Sequence, residues 1–304
     1  MMGPILCFGA AGQLGCEFMS LARAMKVEAR GLTRADADIT SFDAIQEAVL
    51  RMRPRLIVNA AAYTAVDQAE REPDIAVSVN AIGAENVARA AARLQVPVLH
   101  ISTDYVFDGS KPKPYTEDDA VSPLGVYGRS KAQGESLVLA ASQDAIILRT
   151  AWVFGLYGNN FLKTILQLAA SKDRLRVVVD QHGCPTSTAD IAEAIIAIDK
   201  ALCDGCPAHG IYHFAGSGAT SWHGFAQAIV EYQAGWTGRR PSVEAIATAD
   251  YPTPARRPAN SELDSSLFAR TFGYSAKPWP ERMRQTVDLL LDARSAERRV
   301  IEER

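Results

Sequence analysis

A tyrosine and a lysine, Tyr127 and Lys131, lie four residues apart in the stretch VYGRSKAQGE. On a helix this spacing places both side chains on one face. A free tyrosine has a pKa of about 10, and a neighbouring ammonium favours its phenolate form. The pair could therefore act in general acid-base catalysis, with Lys131 lowering the pKa of Tyr127. The same spacing is common in ordinary exposed helices, so its meaning depends on the residues around it.

Hydroxyl and carboxyl side chains end a predicted strand upstream, in HISTDYVF, as Thr103 and Asp104. The carboxyl ends of strands in a doubly wound sheet face the ligand crevice. Reduction of a ketone takes one hydride and one proton. A tyrosine can supply the proton, and a threonine hydroxyl can orient the carbonyl oxygen. We predict Thr103, Tyr127 and Lys131 as the catalytic set.

Three glycines follow the first predicted strand, in FGAAGQLG, as Gly9, Gly12 and Gly15. A tight turn favours a residue without Cβ, and a pyrophosphate must approach the backbone closely. The start of the following helix offers unpaired N–H groups to the anion. This strand, turn and helix context predicts a dinucleotide site, although the spacing differs from G-x-G-x-x-G and a merely flexible turn is the alternative.

The second predicted strand indicates which cofactor is used. A carboxylate at its end would accept a hydrogen bond from the ribose hydroxyl of NAD. Gly31 occupies approximately that position here, and Arg34 is close by in the sequence. Because a guanidinium can pair with a 2′-phosphate, we predict NADPH, with NADH as the alternative. Asp38 and Ile39 follow where a turn beside the adenine is expected.

Short β-branched runs alternate with Ala-rich helical segments up to about residue 155. This alternation predicts an α/β fold with a doubly wound, Rossmann-like parallel sheet. Beyond that point the alternation of strands and helices becomes less regular. We predict an NAD(P)-binding domain over residues 1–155. Residues 156–304 are predicted to form a smaller, less regular region that mainly binds substrate and can return segments to the sheet.

Bulk composition excludes several classes of protein. The 304 residues carry a net charge of −3 without a basic block, which argues against nucleic-acid binding. No apolar run reaches the roughly 20 residues of a membrane helix, and no signal peptide is recognisable. We therefore predict a cytoplasmic protein with no membrane partner. The five cysteines do not suggest a disulfide framework, and CDGC at Cys203 lacks a second pair for a zinc site.

Longer motifs extend the pattern. The glycines, Thr103, Tyr127 and Lys131 together resemble the extended short-chain dehydrogenase/reductase superfamily. The further motifs occur in the order typical of the dTDP-4-dehydrorhamnose reductase family and cover residues 4–290, approximately. They read VNAAAYTAVDQAE, STDYVFDG, SPLGVYGRSK, RTAWVFG, GNNF, DQHGCPTS and YPTPARRPANSELD.

The resemblance implies NAD(P)H-dependent reduction of the 4-keto group of dTDP-4-dehydro-6-deoxy-L-mannose to dTDP-L-rhamnose, for cell-surface polysaccharide. It also implies roles for individual residues. Tyr127 would donate the proton, and Lys131 would hold the nicotinamide ribose. The implied sugar contacts are Thr103, Asp104 and Trp152, although Trp152 could equally be a core aromatic. The implied cofactor contacts are Gly12, Gln13 and Leu14 at the pyrophosphate and Ala62, Tyr63 and Thr64 after the third strand.

A nucleotide sugar also needs partners for its diphosphate. Arg256 and Arg257 stand in a proline-rich loop, and their guanidinium groups suit phosphate oxygens. We expect at least one of these two arginines to bind the substrate and choose Arg257, with Asn160 and Asn260 adding neutral hydrogen bonds. The alternative is that the arginines are solvated surface charges.

Two other functions stay open at this point. The first is another nucleotide-sugar reductase or epimerase. The second is a non-catalytic NADP-binding subunit resembling the regulatory partner of methionine adenosyltransferase. A homodimer is compatible with the resemblance. Some members of the family bind Mg²⁺ through glutamates, but here Glu17 matches one position and Asp190 only approximates another, so no metal is predicted.

Overall fold

A computed structural model describes residues 3–302 of the chain, with side chains through residue 293. The strands are β1 (Ile5–Phe8), β2 (Ala29–Leu32), β3 (Leu56–Asn59), β4 (Val98–Thr103), β5 (Ala145–Thr150), β6 (Val153–Phe154), β7 (Arg174–Val178), β8 (His182–Gly183), β9 (Thr186–Ser187), β10 (Gly210–His213), β11 (Thr220–Ser221) and β12 (Ser242–Ile246).

The helices alternate with the strands through the first half of the chain. They are α1 (Gln13–Ala24), α2 (Phe42–Met52), α3 (Val66–Ala69), α4 (Pro73–Val77), α5 (Ala84–Arg93), α6 (Val126–Ala141), α7 (Phe161–Ser171), α8 (Thr188–Cys203), α9 (Trp222–Thr237), α10 (Ser266–Phe272) and α11 (Trp279–Glu302). Of the helices within residues 3–302, none combines the length and apolar character needed to cross a membrane.

The central sheet has the strand order β10-β5-β4-β3-β1-β2, and each neighbouring pair is parallel. The predicted doubly wound α/β fold is confirmed. The order of the strands reverses between β1 and β3, and in such sheets ligands bind in the crevice at the carboxyl ends beside this point. The edge strand β10 comes from the second half of the chain, so both halves build the sheet.

Apolar side chains cover both faces of this sheet, as expected for a buried parallel sheet. Every residue of β1, β3 and β5 is buried. One face packs on α1, α8 and α10, and the other packs on α2, α5 and α6. A separate cluster from α7, α9 and α11 forms the core of the second half. The sheet is thereby held rigidly under the crevice.

Helix α6, which carries Tyr127 and Lys131, lies unusually close to its neighbours. A Cβ placed on Gly128 would come within 2.2 Å of the Tyr105 carbonyl oxygen. Any larger residue would have to displace the backbone that follows β4. The glycine between Tyr127 and Lys131 thus lets α6 approach the end of β4.

A buried ion pair joins α6 to β5. The Glu135 carboxylate accepts hydrogen bonds from Arg149 Nε at 3.0 Å and Nη2 at 2.7 Å, and also from the Ser102 hydroxyl. Both charged side chains are at most 4% exposed. Such a two-pronged pair satisfies most of the buried polar atoms, and removal of one partner would leave an uncompensated charge.

The segment before α5 is helical as well. The π-helical turn Ser78–Gly83 connects α5 back to α4, which begins at Pro73. Proline suits the first position of a helix because its missing N–H has no partner there. Single π-helical turns are frequent at functional sites, and this one presents Asn80 to the loop after β3.

Replacing Glu135 by alanine should destabilise the protein by about 3–5 kcal/mol, because Arg149 would stay buried without its counter-charge. Urea denaturation followed by circular dichroism measures the change. Glu231 pairs with Arg240 on the surface, where both side chains are at least 67% exposed, and provides the matched control. Glu231→Ala should cost about 1 kcal/mol or less. Equal losses in the two variants would contradict a special contribution from the buried pair.

Candidate active site

Most of the predicted site residues lie along the carboxyl edge of the central sheet. The glycine turn follows β1, the loop 60–65 follows β3, and Thr103 ends β4. Tyr127 and Lys131 reach this edge from α6, which packs against β4 and β5. Segments far apart in the chain are therefore brought to one crevice.

Tyr127 stands half-buried next to Thr103 and Tyr105. The rings of Tyr105 and Tyr127 meet edge to face with centroids 5.5 Å apart. Burial raises the pKa of Tyr127 to about 12, although a hydrogen bond with Thr103 lowers it in part. The phenol is thus protonated and next to a hydroxyl that can share a substrate oxygen.

Lys131 is almost fully buried, with 1% of its surface exposed. Its Nζ donates to the Ile101 carbonyl oxygen at 2.7 Å and lies 3.2 Å from His100 Nε2. Burial lowers the pKa of Lys131 to about 8, even though Glu135 raises it. The net pKa of Tyr127 is raised rather than lowered as predicted, because burial dominates there. The lysine nitrogen is bonded to β4.

Asp104 lies directly behind Thr103 and is 2% exposed. One carboxyl oxygen accepts a hydrogen bond from the Thr103 hydroxyl at 3.1 Å. The other, Oδ2, has no hydrogen-bond partner among the residues whose side chains are described. Burial raises the pKa of Asp104 to about 7. This acid is therefore positioned to hold Thr103.

The glycine turn presents backbone rather than side chains. Gly9 has φ +81°, and a Cβ there would lie 2.6 Å from the Ala61 amide nitrogen. Gly12 forms the N-cap of α1 without a side-chain hydrogen bond to the first amides. Gln13, Leu14 and Gly15 open the helix. A bare turn that ends in the free N–H groups of a twelve-residue helix fits the pyrophosphate of a dinucleotide.

The residues predicted near the adenosine lie beyond β2. Arg34 is 83% exposed and pairs with Asp38 at 3.0 Å, so its guanidinium is accessible to a phosphate at the surface. Ile39 is 5% exposed and belongs to the core between the sheet and α2. Its side chain is therefore occupied in packing.

The loop that contains Ala62, Tyr63 and Thr64 is held by Asn80. The Tyr63 amide donates to Asn80 Oδ1 at 2.8 Å, and Asn80 Nδ2 donates to the Tyr63 carbonyl and to Ser130 Oγ, each at 3.0 Å. Asn80 thus ties the loop to α6. The sequence carried no signal for this role, since Asn80 is 50 residues from Ser130.

A cavity of about 680 Å³ is lined mainly by the second half of the chain and adjoins the crevice at Tyr105. Its wall combines aromatic rings with basic side chains. The aromatic and basic residues on the wall are Tyr105, Phe161, Lys172, Arg174, Arg176, Trp222, Tyr251 and Arg257. Aromatic faces beside several cations suit a ligand that carries both a ring and phosphates.

Arg257 and Arg256 differ in their surroundings. Arg257 lines the cavity and binds the Asp67 carboxylate through both terminal nitrogens, at 3.1 and 2.8 Å. Arg256 is exposed and is not among the described residues on the cavity wall. The sequence did not single out Asp67, which lies 190 residues before Arg257.

Asn160 has a different environment from the one predicted. Its side-chain oxygen caps α7 by accepting from the Lys163 amide at 3.1 Å. Both of its amide hydrogens are used, on Gln13 Oε1 at 2.8 Å and on the Gly155 carbonyl at 2.9 Å. An amide has only two donors, so Asn160 connects the glycine turn to α7 and has none left for a substrate.

Trp152 is likewise placed behind the site rather than in it. It is 9% exposed, and its indole nitrogen donates to Ser261 Oγ at 3.0 Å. Its ring stacks on Trp222 with centroids 3.5 Å apart. Among the described residues on the cavity wall, Trp222 is present and Trp152 is not. The structure thus favours the alternative of a core aromatic, and sequence reasoning missed Trp222.

The acids considered for Mg²⁺ are already engaged. Asp190 accepts from Arg282 Nε and Nη2 at 2.9 and 2.7 Å, and Glu17 accepts from Thr188 at 2.8 Å. Within the described part of the chain, no three His, Cys, Asp or Glu side chains are grouped to hold a metal ion.

Known proteins are similar to this chain in both sequence and fold. A family model described as RmlD substrate binding domain matches residues 2–291. A dTDP-4-dehydrorhamnose reductase from Sinorhizobium fredii is 45% identical over 291 residues, covering 95% of this chain and 98% of the relative.

Solved structures agree with this match. The dTDP-4-dehydrorhamnose reductase of Clostridium acetobutylicum has a TM-score of 0.88 at 38% identity, over 94% of this chain and 99% of that one. The Bacillus anthracis reductase in complex with NADP has a TM-score of 0.86 at 34% identity, over the same shares. The chain belongs to the RmlD substrate binding domain family, and its predicted resemblance to the dTDP-4-dehydrorhamnose reductases is confirmed.

Proposed function

We propose that the protein is an NADPH-dependent dTDP-4-dehydrorhamnose reductase that converts dTDP-4-dehydro-6-deoxy-L-mannose to dTDP-L-rhamnose. The observation that carries the proposal is the hydrogen-bonding contact of Tyr127 with Thr103 at the carboxyl end of β4. The names of relatives at 45% and 38% identity support the same reaction.

The chemistry needs a hydride and a proton at the C4 carbonyl. NADPH supplies the hydride to carbon when bound. Thr103 would turn its hydroxyl hydrogen from Asp104 to the carbonyl oxygen when the substrate binds, and Tyr127 would give the same oxygen its proton. Since burial raises the pKa of Tyr127 to about 12, proton transfer requires stabilisation of the phenolate that forms. A protonated Lys131 provides it, because a nearby cation favours the phenolate.

Cofactor binding is assigned to the first half of the chain. The turn at Gly9 and Gly12 would bind the pyrophosphate, residues 62–64 would line the nicotinamide half, and Arg34 would bind the 2′-phosphate. The accessible guanidinium of Arg34 supports NADPH over NADH. The NADP complex of the Bacillus anthracis relative supports the same choice.

The substrate is assigned to the cavity and therefore mainly to residues 156–304. Trp222 and Tyr105 would stack on the thymine or sugar rings, while Arg257 would bind the diphosphate. Residues 1–155 would then form the cofactor domain, with β10 as a shared edge. The homodimer and the cytoplasmic location stay predictions.

Tyr127→Phe keeps the ring and removes the proton. We expect kcat to fall by about 10² or more, the scale of general acid catalysis. NADPH oxidation at 340 nm with the dTDP-4-keto sugar measures it; stoichiometric consumption also separates a reductase from an epimerase. Wild-type protein that binds NADPH without oxidising it would contradict the proposed reaction and favour the non-catalytic alternative.

Arg257→Ala should raise the KM for the nucleotide sugar by about 10-fold or more, because hydrogen bonds to charged groups contribute about 1.5–3 kcal/mol. The dissociation constant of NADPH, measured by fluorescence, should stay nearly unchanged. Arg256→Ala is the matched control, since this neighbour is exposed outside the cavity. A KM unaffected by Arg257→Ala would remove this residue from the substrate site.

Arg34→Ala should raise the KM for NADPH by about 10-fold and leave the KM for NADH unchanged, because only NADPH carries the phosphate. Steady-state kinetics with each cofactor measures the difference. Arg51→Ala, on the exposed side of α2, controls for the loss of a surface charge. A parallel change with both cofactors would argue against a contact with the 2′-phosphate.

A further inference from the structure

Behind Lys131, a line of buried hydrogen bonds runs across two strands. It joins Asn59 at the end of β3, His100 in β4 and Lys131 on α6, each 1% exposed. Asn59 Nδ2 lies 3.1 Å from His100 Nδ1, and His100 Nε2 lies 3.2 Å from Lys131 Nζ. Sequence analysis gave Asn59 and His100 no role, and the proposed mechanism does not use them.

The direction of this line is set at its first member. Asn59 Oδ1 accepts a hydrogen bond from the Ala61 amide at 3.2 Å. If the side-chain amide were turned over, its NH₂ group would face that backbone donor. The Ala61 amide therefore keeps the Asn59 oxygen on its own side, which leaves the NH₂ group pointing at His100 Nδ1.

This orientation selects one form of the histidine. His100 Nδ1 receives a hydrogen from Asn59, so it must carry a lone pair. Burial holds the pKa of His100 well below its usual range, so the ring is neutral. A neutral imidazole carries one hydrogen, and here that hydrogen must be on Nε2. Nε2–H therefore points at the Lys131 nitrogen.

An ammonium has no lone pair with which to accept that hydrogen. A neutral amine does, and it can still donate to the Ile101 carbonyl oxygen at 2.7 Å. The complete line then runs from the Ala61 amide through Asn59, His100 and Lys131 to Ile101. The Nε2–H of His100 meets an acceptor only when Lys131 is neutral.

Other charges near Lys131 do not cancel this bias. Glu135 lies one turn further along α6 and favours the ammonium, but it is already paired with Arg149 of β5. Tyr127, Tyr105 and Asp104 are ionisable groups at the same end of β4, and burial favours the neutral form of each. The lowered pKa of Lys131, about 8, agrees with the direction of the hydrogen bonds.

We propose that Asn59 and His100 are positioning residues that lower the proton affinity of Lys131 by directing a fixed N–H group at its nitrogen. The consequence for catalysis rests on the proposed function. Because the ammonium stabilises the Tyr127 phenolate, deprotonation of Lys131 ends activity as the pH rises. Asn59 and His100 thus set the upper pH limit of the reductase.

Two substitutions reverse or remove the N–H group with little change of shape. In Asn59→Asp the carboxylate accepts from both the Ala61 amide and His100 Nδ1, so Nε2 is left with a lone pair for the ammonium. In His100→Gln the side-chain oxygen can face Lys131. Both variants should raise the Lys131 pKa by about one unit or more, because a hydrogen bond to the charged form favours it.

The pKa is read directly by ¹³C NMR of protein labelled at the lysine Cε, with the Lys131 signal assigned by Lys131→Met. This readout needs no substrate. His213→Gln is the matched control, because His213 is also buried but contacts Arg149 and Tyr115 and should leave the titration of Lys131 unchanged. Circular dichroism verifies that each variant is folded.

An upward shift in both variants supports the proposal. A Lys131 pKa that is unchanged in both variants overturns the proposal. A shift in Asn59→Asp alone also overturns it, because that shift would reflect only the added negative charge. A wild-type Lys131 that stays fully charged above pH 10 overturns it without any variant.

The pH profile of kcat/KM gives the functional test. The loss of activity at high pH should move upward in both variants by the shift that NMR measures. Failure of the proposed function would instead appear as wild-type protein with no NADPH oxidation while the Lys131 titration still responds to both variants.

Discussion

The close approach of α6 to β4 and β5 is the constraint on which the site depends. Gly128 removes the Cβ that would collide with the Tyr105 carbonyl. The Glu135–Arg149 ion pair then attaches the helix to β5 at full burial. Because both contacts lie within three turns of Tyr127, they fix the part of α6 that carries this residue against the end of β4. Packing and catalysis thus rely on the same interface.

Exclusion of water gives the site its electrostatic character. Burial raises the pKa of Tyr127 and Asp104 and lowers that of Lys131, so the neutral form of each group is favoured. In such surroundings the direction of a single hydrogen bond affects protonation more than it would at the surface. This is why the residues behind Lys131 matter, although they are remote from the cavity.

Local patterns predicted the parts of the protein that depend on neighbours in sequence. The alternation of strands and helices, the glycine turn and Thr103 at the end of β4 were all recognisable, because each follows from a short stretch. The partners of the site were not. Asn80 bonds Ser130 across 50 residues, and Asp67 pairs with Arg257 across 190. No periodicity or motif indicates that residues so far apart in the sequence are in contact.

By itself, the sequence determined the fold class, the glycine turn and the position of Tyr127 and Lys131 one turn apart on a helix, since these depend on spacing along one element. Only the tertiary structure put Trp222 rather than Trp152 on the cavity wall, turned Asn160 into a link within the protein, and reversed the expected pKa of Tyr127. Each of these outcomes depends on which surfaces meet and exclude water. The stretch VYGRSKAQGE places a tyrosine and a lysine one turn apart, but burial and the contacts from β4 determine the pKa of each.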